Sequence, residues 1–160
     1  DYWKKEKLER QITFMTENRF GACMTSYETV NEDGSFRNIV HIDERLDYKK
    51  FLKKPPTCSH TIMFDTELVD KKALVMPDIR KRQDAATWLQ VIKLYGCLHG
   101  FDEVLAANRK RSDSLSANKV SAVKGTWFLY TEIEGLSKPY AGYCLFWQMF
   151  HAVLKRIGKR

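Results

Sequence analysis

A cation-dense loop containing a proline, Met76-Pro77-Asp78-Ile79-Arg80-Lys81-Arg82, runs without a break into a segment with apolar residues at Ala85, Trp88, Leu89, Ile92 and Tyr95. That spacing is one face of an α-helix, and a helix with one apolar face needs a surface to bury it against. The chain must therefore supply a packed layer under this helix and a charged loop at its entrance. Asp84 falls in the first turn, where unpaired backbone N–H groups and the helix dipole favour a carboxylate. Arg80, Lys81 and Arg82 add positive charge nearby, so the carboxylate is expected to be ionised at neutral pH, an acceptor of protons rather than a donor. On spacing alone Asp84 reads equally as a plain N-terminal helix residue.

The 160 residues, 44% of them hydrophobic, suffice for one domain with a core. Cys23, Cys58, Cys97 and Cys144 are scattered and form no CxxC pair. Reduced, mostly buried thiols in a cytosolic compartment are expected, rather than a disulfide framework or a zinc site. A net charge of +7 suits nucleic acid, acidic lipid or a phosphorylated small molecule. No nucleic-acid-binding signature accompanies it, so no nucleic-acid partner is expected. No stretch reads as a signal peptide or as an apolar run long enough to span a bilayer.

Trp3 to Asn18 has the pattern of an amphipathic helix, with Leu8, Ile12 and Met15 on one face, Glu6, Lys7, Glu9 and Arg10 opposite, and Asp1 at or just before its N-cap. Asp1-Tyr2-Trp3 opens straight into this helix with no leader, methionine or preceding strand, as expected of a piece of something longer. Ala22 to Val30 is β-rich, and the Asp33-Gly34 turn leads to a second strand, Phe36 to Ile42, giving a hairpin. Asp47 to Lys53 is a short helix that must stop before Pro55-Pro56. Thr57 to Phe64 reads as a strand; its His60 is taken as a hydrogen-bonded structural residue. A helical turn around Thr66 to Lys72 precedes the central loop, and Phe101 to Asn108 supplies another strand.

Next comes Arg109-Lys110-Arg111-Ser112-Asp113-Ser114-Leu115-Ser116-Ala117-Asn118-Lys119. Its cations, hydroxyls and adjoining helix N-terminus suit phosphate oxygens, and equally an ordinary solvated linker. Asn118 to Glu134 is one helix, with Val120, Val123, Trp127 and Tyr130 along a face, stopped at Gly135. Lys138 to Ile157 is another, apolar almost all round through Tyr140 to Phe150 and followed by basic residues. Such a helix fits a membrane interface next to anionic lipid, or a core or dimer contact. There is no glycine-rich phosphate loop, nucleophile elbow, HExxH or internal repeat. The residues alone thus give a mixed α/β cytosolic domain with one well-placed carboxylate and one cationic loop.

Several ordered stretches together resemble bacterial family 2 glycosyltransferases of the GT-A fold. Met76-Pro77-Asp78-Ile79-Arg80-Lys81-Arg82-Gln83-Asp84 with Ala85-Ala86-Thr87-Trp88-Leu89 is similar to that family's central motif. Leu105-Ala106-Ala107-Asn108-Arg109 and Ser114-Leu115-Ser116-Ala117-Asn118-Lys119 are similar to the segment that follows it there. Asp1 to Ile12 resembles the helix just after the family's metal-binding aspartates. The Thr25-Ser26-Tyr27-Glu28 strand, the Asp33-Gly34 turn and Cys58-Ser59-His60-Thr61-Ile62-Met63 match in order. The resemblance implies a partial GT-A (nucleotide-diphospho-sugar transferase) fold: an α/β arrangement of a few mixed strands with flanking helices and a helical C-terminus. Residues 1–137 would be the acceptor-side, C-terminal half of the catalytic domain, and 138–160 an amphipathic, apolar helix with a basic tail.

By the same resemblance the enzyme inverts the anomeric centre, with Asp84 as general base toward an acceptor hydroxyl attacking C1 of a nucleotide sugar. Arg82, Gln83, Trp88, Arg109, Ser114, Ser116 and Lys119 are the implied substrate-binding residues. Asp1 aligns with the last aspartate of the metal motif, and the implied cofactor is Mn²⁺ or Mg²⁺. The family often has Glu-Asp where this chain has Gln83-Asp84; the aspartate is kept. The family's first strand, its nucleotide-binding segments and most of its Asp-x-Asp-Asp motif would lie before residue 1, so the 160 residues alone are expected to be inactive. The implied partners are a nucleotide-sugar donor and a lipid-linked or saccharide acceptor, in capsule, O-antigen or lipooligosaccharide assembly on the cytoplasmic face of the inner membrane, with peripheral membrane contact and a homodimer as further expectations. The competing reading is a non-catalytic basic binding or dimerisation module.

Overall fold

The computed structural model describes residues 1–55, 58–110 and 119–157, with only the backbone given at 119 and 155–157. In chain order the elements are β1 (Tyr2–Trp3), α1 (Lys7–Asn18), β2 (Ala22–Val30), β3 (Phe36–Val40), β4 (Arg45–Leu46), α2 (Tyr48–Lys53), β5 (Ile62–Phe64), α3 (Gln83–Tyr95), β6 (Leu98–Arg109), α4 (Lys119–Phe128) and α5 (Lys138–Ile157). Together they form a mixed sheet flanked by helices, with a helical C-terminal part, the α/β class expected from the sequence.

The sheet is built on β2. It runs parallel to β6, from Cys23 opposite His99 to Val30 opposite Arg109, with irregularities around Ser26. It also pairs antiparallel with β3 and β5. β6 carries β1 and β4 on its other side, both antiparallel. β2 is buried along almost its whole length, as a strand with neighbours on both edges and cover on its faces should be. The hairpin reads as expected: Gly34 takes φ 89° in the turn, and Asp33 Oδ1 accepts from the Ser35 N–H at 2.9 Å.

The core lies between the sheet and α2, α3 and α5. Met24, Phe51, Leu52, Trp88, Leu89, Ile92, Leu98, Ala141 and Cys144 belong to it. Leu89 is fully buried, a burial that stabilises by roughly 1.5–3 kcal/mol. α2 begins where the sequence places it: the Asp47 carboxylate accepts from the Lys50 N–H at 2.9 Å.

Four expectations need correction. Tyr2 and Trp3 are not helical; they pair with Ala107 and Ala106 as an edge strand, and Asp1 therefore caps no helix. In α1 the buried stripe is Lys7, Gln11 and Met15, while Leu8 and Ile12 are exposed. Lys7 can be buried because its ammonium donates to Gln11 Oε1 at 2.7 Å and lies 4.4 Å from the Trp3 ring, and Gln11 in turn donates to the carbonyls of Cys23 and Thr61. The strand expected from Thr57 shrinks to β5, preceded by a 3-10 turn at Ser59–Thr61, Thr57 itself lying outside the described residues. The helix expected through Glu134 widens into a π-helical turn at Leu129–Ile133 before Gly135 at φ 64°; of its expected face only Tyr130 is buried, with Val120, Val123 and Trp127 exposed.

Candidate active site

The loop before α3 ends in a left-handed residue, Arg82 at φ 67°, so the chain turns sharply into the helix. Arg82 makes no side-chain cap, and its carbonyl accepts the first helical bond, from Ala86 N–H at 2.9 Å. Asp84 supplies the negative charge this helix start favours. Its Oδ1 accepts from the Ala85 N–H at 2.7 Å, and its Oδ2 from the Ser59 hydroxyl at 2.6 Å. An ionised carboxylate has about four lone-pair positions, so two donors leave room for a third.

Ser59 stands on the 3-10 turn, which is tied down on both sides. Thr61 Oγ1 donates to the Cys58 carbonyl, Gln11 to the Thr61 carbonyl, and Trp3 Nε1 to the His60 carbonyl at 2.8 Å. The next residue, His60, has its ring against the Cys58 thiol, and its Nδ1 is 3.8 Å from Asp1 Oδ2. Burial, reinforced by the positive charge of Lys7, lowers the His60 pKa and favours its neutral form. Asp1 Oδ1 accepts from the Arg109 N–H at 2.7 Å, fastening the first residue to the end of β6.

Contacts thus run in order from Asp84 through Ser59 and His60 to Asp1 and Arg109, joining three residues singled out in the sequence although they are 25 to 108 positions apart. The others separate from this group. The Arg109 guanidinium turns toward the hairpin and donates to the Glu32 carbonyl at 3.4 Å. Arg82 Nη2 donates to the Ala122 carbonyl of α4 at 3.5 Å. Gln83 is exposed. Trp88 is 3% exposed and packs edge-on against Phe51 with ring centroids 6.1 Å apart, so the indole is a core side chain. Ser114 and Ser116 lie outside the described residues, and Lys119 opens α4.

Ser59 was not singled out in the sequence, and no local pattern points to it: its partner is 25 residues away. His60 keeps the structural role expected of it. As for a divalent ion, Asp1 is a single carboxylate already engaged by the Arg109 N–H, and no group of three or more His, Cys, Asp or Glu among the described residues could hold a metal. The residues present do not by themselves fit Mn²⁺ or Mg²⁺.

Asp84 thus stands at a helix head behind a cationic loop, and comparison with known proteins shows the chain to be a part-length homologue of bacterial glycosyltransferases. It is 39% identical to TuaG of Bacillus subtilis (strain 168), assigned by its name to teichuronic acid biosynthesis as a glycosyltransferase, over 158 residues that make up 98% of this chain and 62% of that protein. It is 27% identical over 130 residues (79% of this chain, 49% of the relative) to WfgD of Escherichia coli, named UDP-Glc:alpha-D-GlcNAc-diphosphoundecaprenol beta-1,3-glucosyltransferase. An uncharacterized glycosyltransferase of Rickettsia felis is 28% identical over 111 residues, 68% of this chain and 18% of its own length. The chain spans about half to three fifths of the length of the first two relatives. No family model and no solved structure matches it.

Proposed function

We propose that this chain is the acceptor-side part of an inverting, family 2 glycosyltransferase of the GT-A fold. It transfers a sugar from a nucleotide-sugar donor to an acceptor hydroxyl in cell-surface polysaccharide synthesis, and Asp84 is the general base. The acceptor O–H gives its proton to the Asp84 carboxylate while its oxygen forms a bond to C1 of the donor sugar. The bond from C1 to the diphosphate oxygen breaks, its electron pair leaves with the nucleoside diphosphate, and the anomeric configuration inverts. Only one ionised carboxylate near the attacking oxygen is required of this part of the protein.

The observation carrying the reading is Asp84 itself, placed at the head of α3 and reached by the Ser59 hydroxyl at 2.6 Å. The names of TuaG and WfgD support a surface polysaccharide as product and a lipid-diphosphate-linked sugar as acceptor. No described helix is long and apolar enough to cross a membrane. Tyr143, Phe146, Phe150, Val153 and Leu154 are exposed on α5 at helical spacing, which supports peripheral contact of that helix with the cytoplasmic face of the cell membrane, where such an acceptor is held.

The test is Asp84→Asn in the full-length protein. Transfer should fall by about 100-fold or more, with the Kd for the donor nucleotide changed less than threefold. Undiminished transfer would remove Asp84 from the chemistry.

A further inference from the structure

A cavity of about 440 Å³ opens between the loop before α3 and α4, within the size of small-molecule sites. Arg80 and Lys81 line it from the loop and Lys124 from the helix, against the single carboxylate of Asp78. Among the described residues none of these three cations has an ion-pair partner, whereas Arg10, Lys50, Lys54 and Lys93 each have one. The cavity is built by contact between its two walls. Lys81 donates to the Ser121 hydroxyl, and a Cβ on Gly125 would sit 3.3 Å from Lys81 Cβ, so the missing side chain lets the loop lie close on the helix. The rest of the wall is apolar, from Ile79 and the half-exposed Phe128. Converging unpaired cations repel one another; a compact anion with an apolar neighbour answers both features.

Position narrows the ligand further. In an in-line displacement the attacking and leaving oxygens are on opposite sides of C1. Contacts from Asp84 run one way through Ser59 and His60 to Asp1 and the other way through the loop to α4. The apolar wall of Ile79 and Phe128 beside the cations suits the lipid carbons of an acceptor diphosphate better than the polar ribose of a donor nucleotide. Lys81 precedes Asp84 by three residues, across the left-handed turn at Arg82, so the cavity adjoins the loop that leads into the base. We propose that this cavity binds the diphosphate of a lipid-linked acceptor, with Arg80, Lys81 and Lys124 on its oxygens and Ile79 and Phe128 beside the first lipid carbons. This rests on the glycosyltransferase reading and names the acceptor class it uses.

The experiment is inhibition of the full-length enzyme by farnesyl diphosphate, which carries the lipid and diphosphate without the sugar. It should compete with the acceptor and not with the donor, and farnesol should not inhibit. Lys124→Ala should raise its inhibition constant about 10-fold, the loss of one charge-assisted contact, Arg80→Ala with Lys124→Ala further, and Lys124→Arg should restore most of it, with melting temperatures checking the fold. Competition with the donor, inhibition by farnesol as strong as by the diphosphate, or a Lys124→Ala constant within twofold of the parent would overturn the proposal. So would equal displacement by phosphatidylglycerol vesicles, which would make the cavity a reader of membrane headgroups. Direct titration of the Asp84→Asn protein with farnesyl diphosphate keeps the two ideas apart. Binding should survive there, so loss of the base reading and loss of the phosphate site give different results.

Discussion

Removing the Ser59 hydroxyl probes how the base is held without touching the base. Its Oγ donates to Asp84 Oδ2 at 2.6 Å, and the other carboxylate oxygen keeps the Ala85 N–H at 2.7 Å. Hydrogen bonds to charged groups contribute about 1.5–3 kcal/mol where water is excluded. Ser59 is exposed and Asp84 half-buried, which brings the expected cost of Ser59→Ala down to about 1–2 kcal/mol, a five- to thirtyfold loss of rate. Asp84 would stay at the helix head but would lose the second donor that fixes the plane of its carboxylate. The loss should therefore fall on kcat, with the KM for the donor little changed, and Ser59→Thr, which keeps a hydroxyl, should recover most of it. Steady-state kinetics of the full-length enzyme with both substrates varied would measure this. A Ser59→Ala kcat within twofold of the parent, or equal losses in the Ala and Thr variants, would refute a positioning role.

Three other expectations concern the scaffold. Gly100→Ala would place a Cβ 2.1 Å from the Asp43 carbonyl oxygen and 2.8 Å from its carbon; because backbone must move, a cost of about 3 kcal/mol and a melting temperature about 6–12 °C lower are expected, checked by thermal denaturation. The buried Tyr130 hydroxyl donates to the Leu52 carbonyl and accepts from Gln148 Nε2, so Tyr130→Phe should lose about 1–3 kcal/mol in denaturant unfolding. All four cysteines are buried, and burial pushes the Cys23 thiol up to about 11 and Cys58 up to about 12. A thiol reagent at pH 8 should therefore label the folded protein slowly and the unfolded protein at once; fast labelling when folded would contradict that.

What the sequence disclosed was local. The Asp33-Gly34 hairpin, the Asp47 cap and the apolar face of α3 are each written in neighbouring residues, and each is present, except that the face ends at Ile92 and leaves the expected Tyr95 exposed. The misreadings come from partners far along the chain. Tyr2 and Trp3 form a strand only because residues 106 and 107 offer an edge. Lys7 and Gln11 are buried in place of Leu8 and Ile12 because Trp3, Cys23 and Thr61 satisfy their polar groups. For the site, the helix-head position of Asp84 was legible from spacing, but Ser59 was not. Trp88 shows the reverse error: it lies next to a motif, and its ring faces Phe51 in the core.

The parallel pairing of β2 with β6 has a bearing on synthesis. Every partner of β6 in the sheet (β1, β2 and β4) precedes it in the chain by more than 50 residues, so the long edge of β2 stays open until residue 109 has left the ribosome. The hairpin of β2 with β3 can close early, since its loop is short, whereas inserting β6 requires closing large loops and is slow. During that interval a strand that is buried in the finished fold is available to other nascent chains. Yield from expression should consequently respond more to chaperone supply and growth temperature than the stability of the finished fold would suggest.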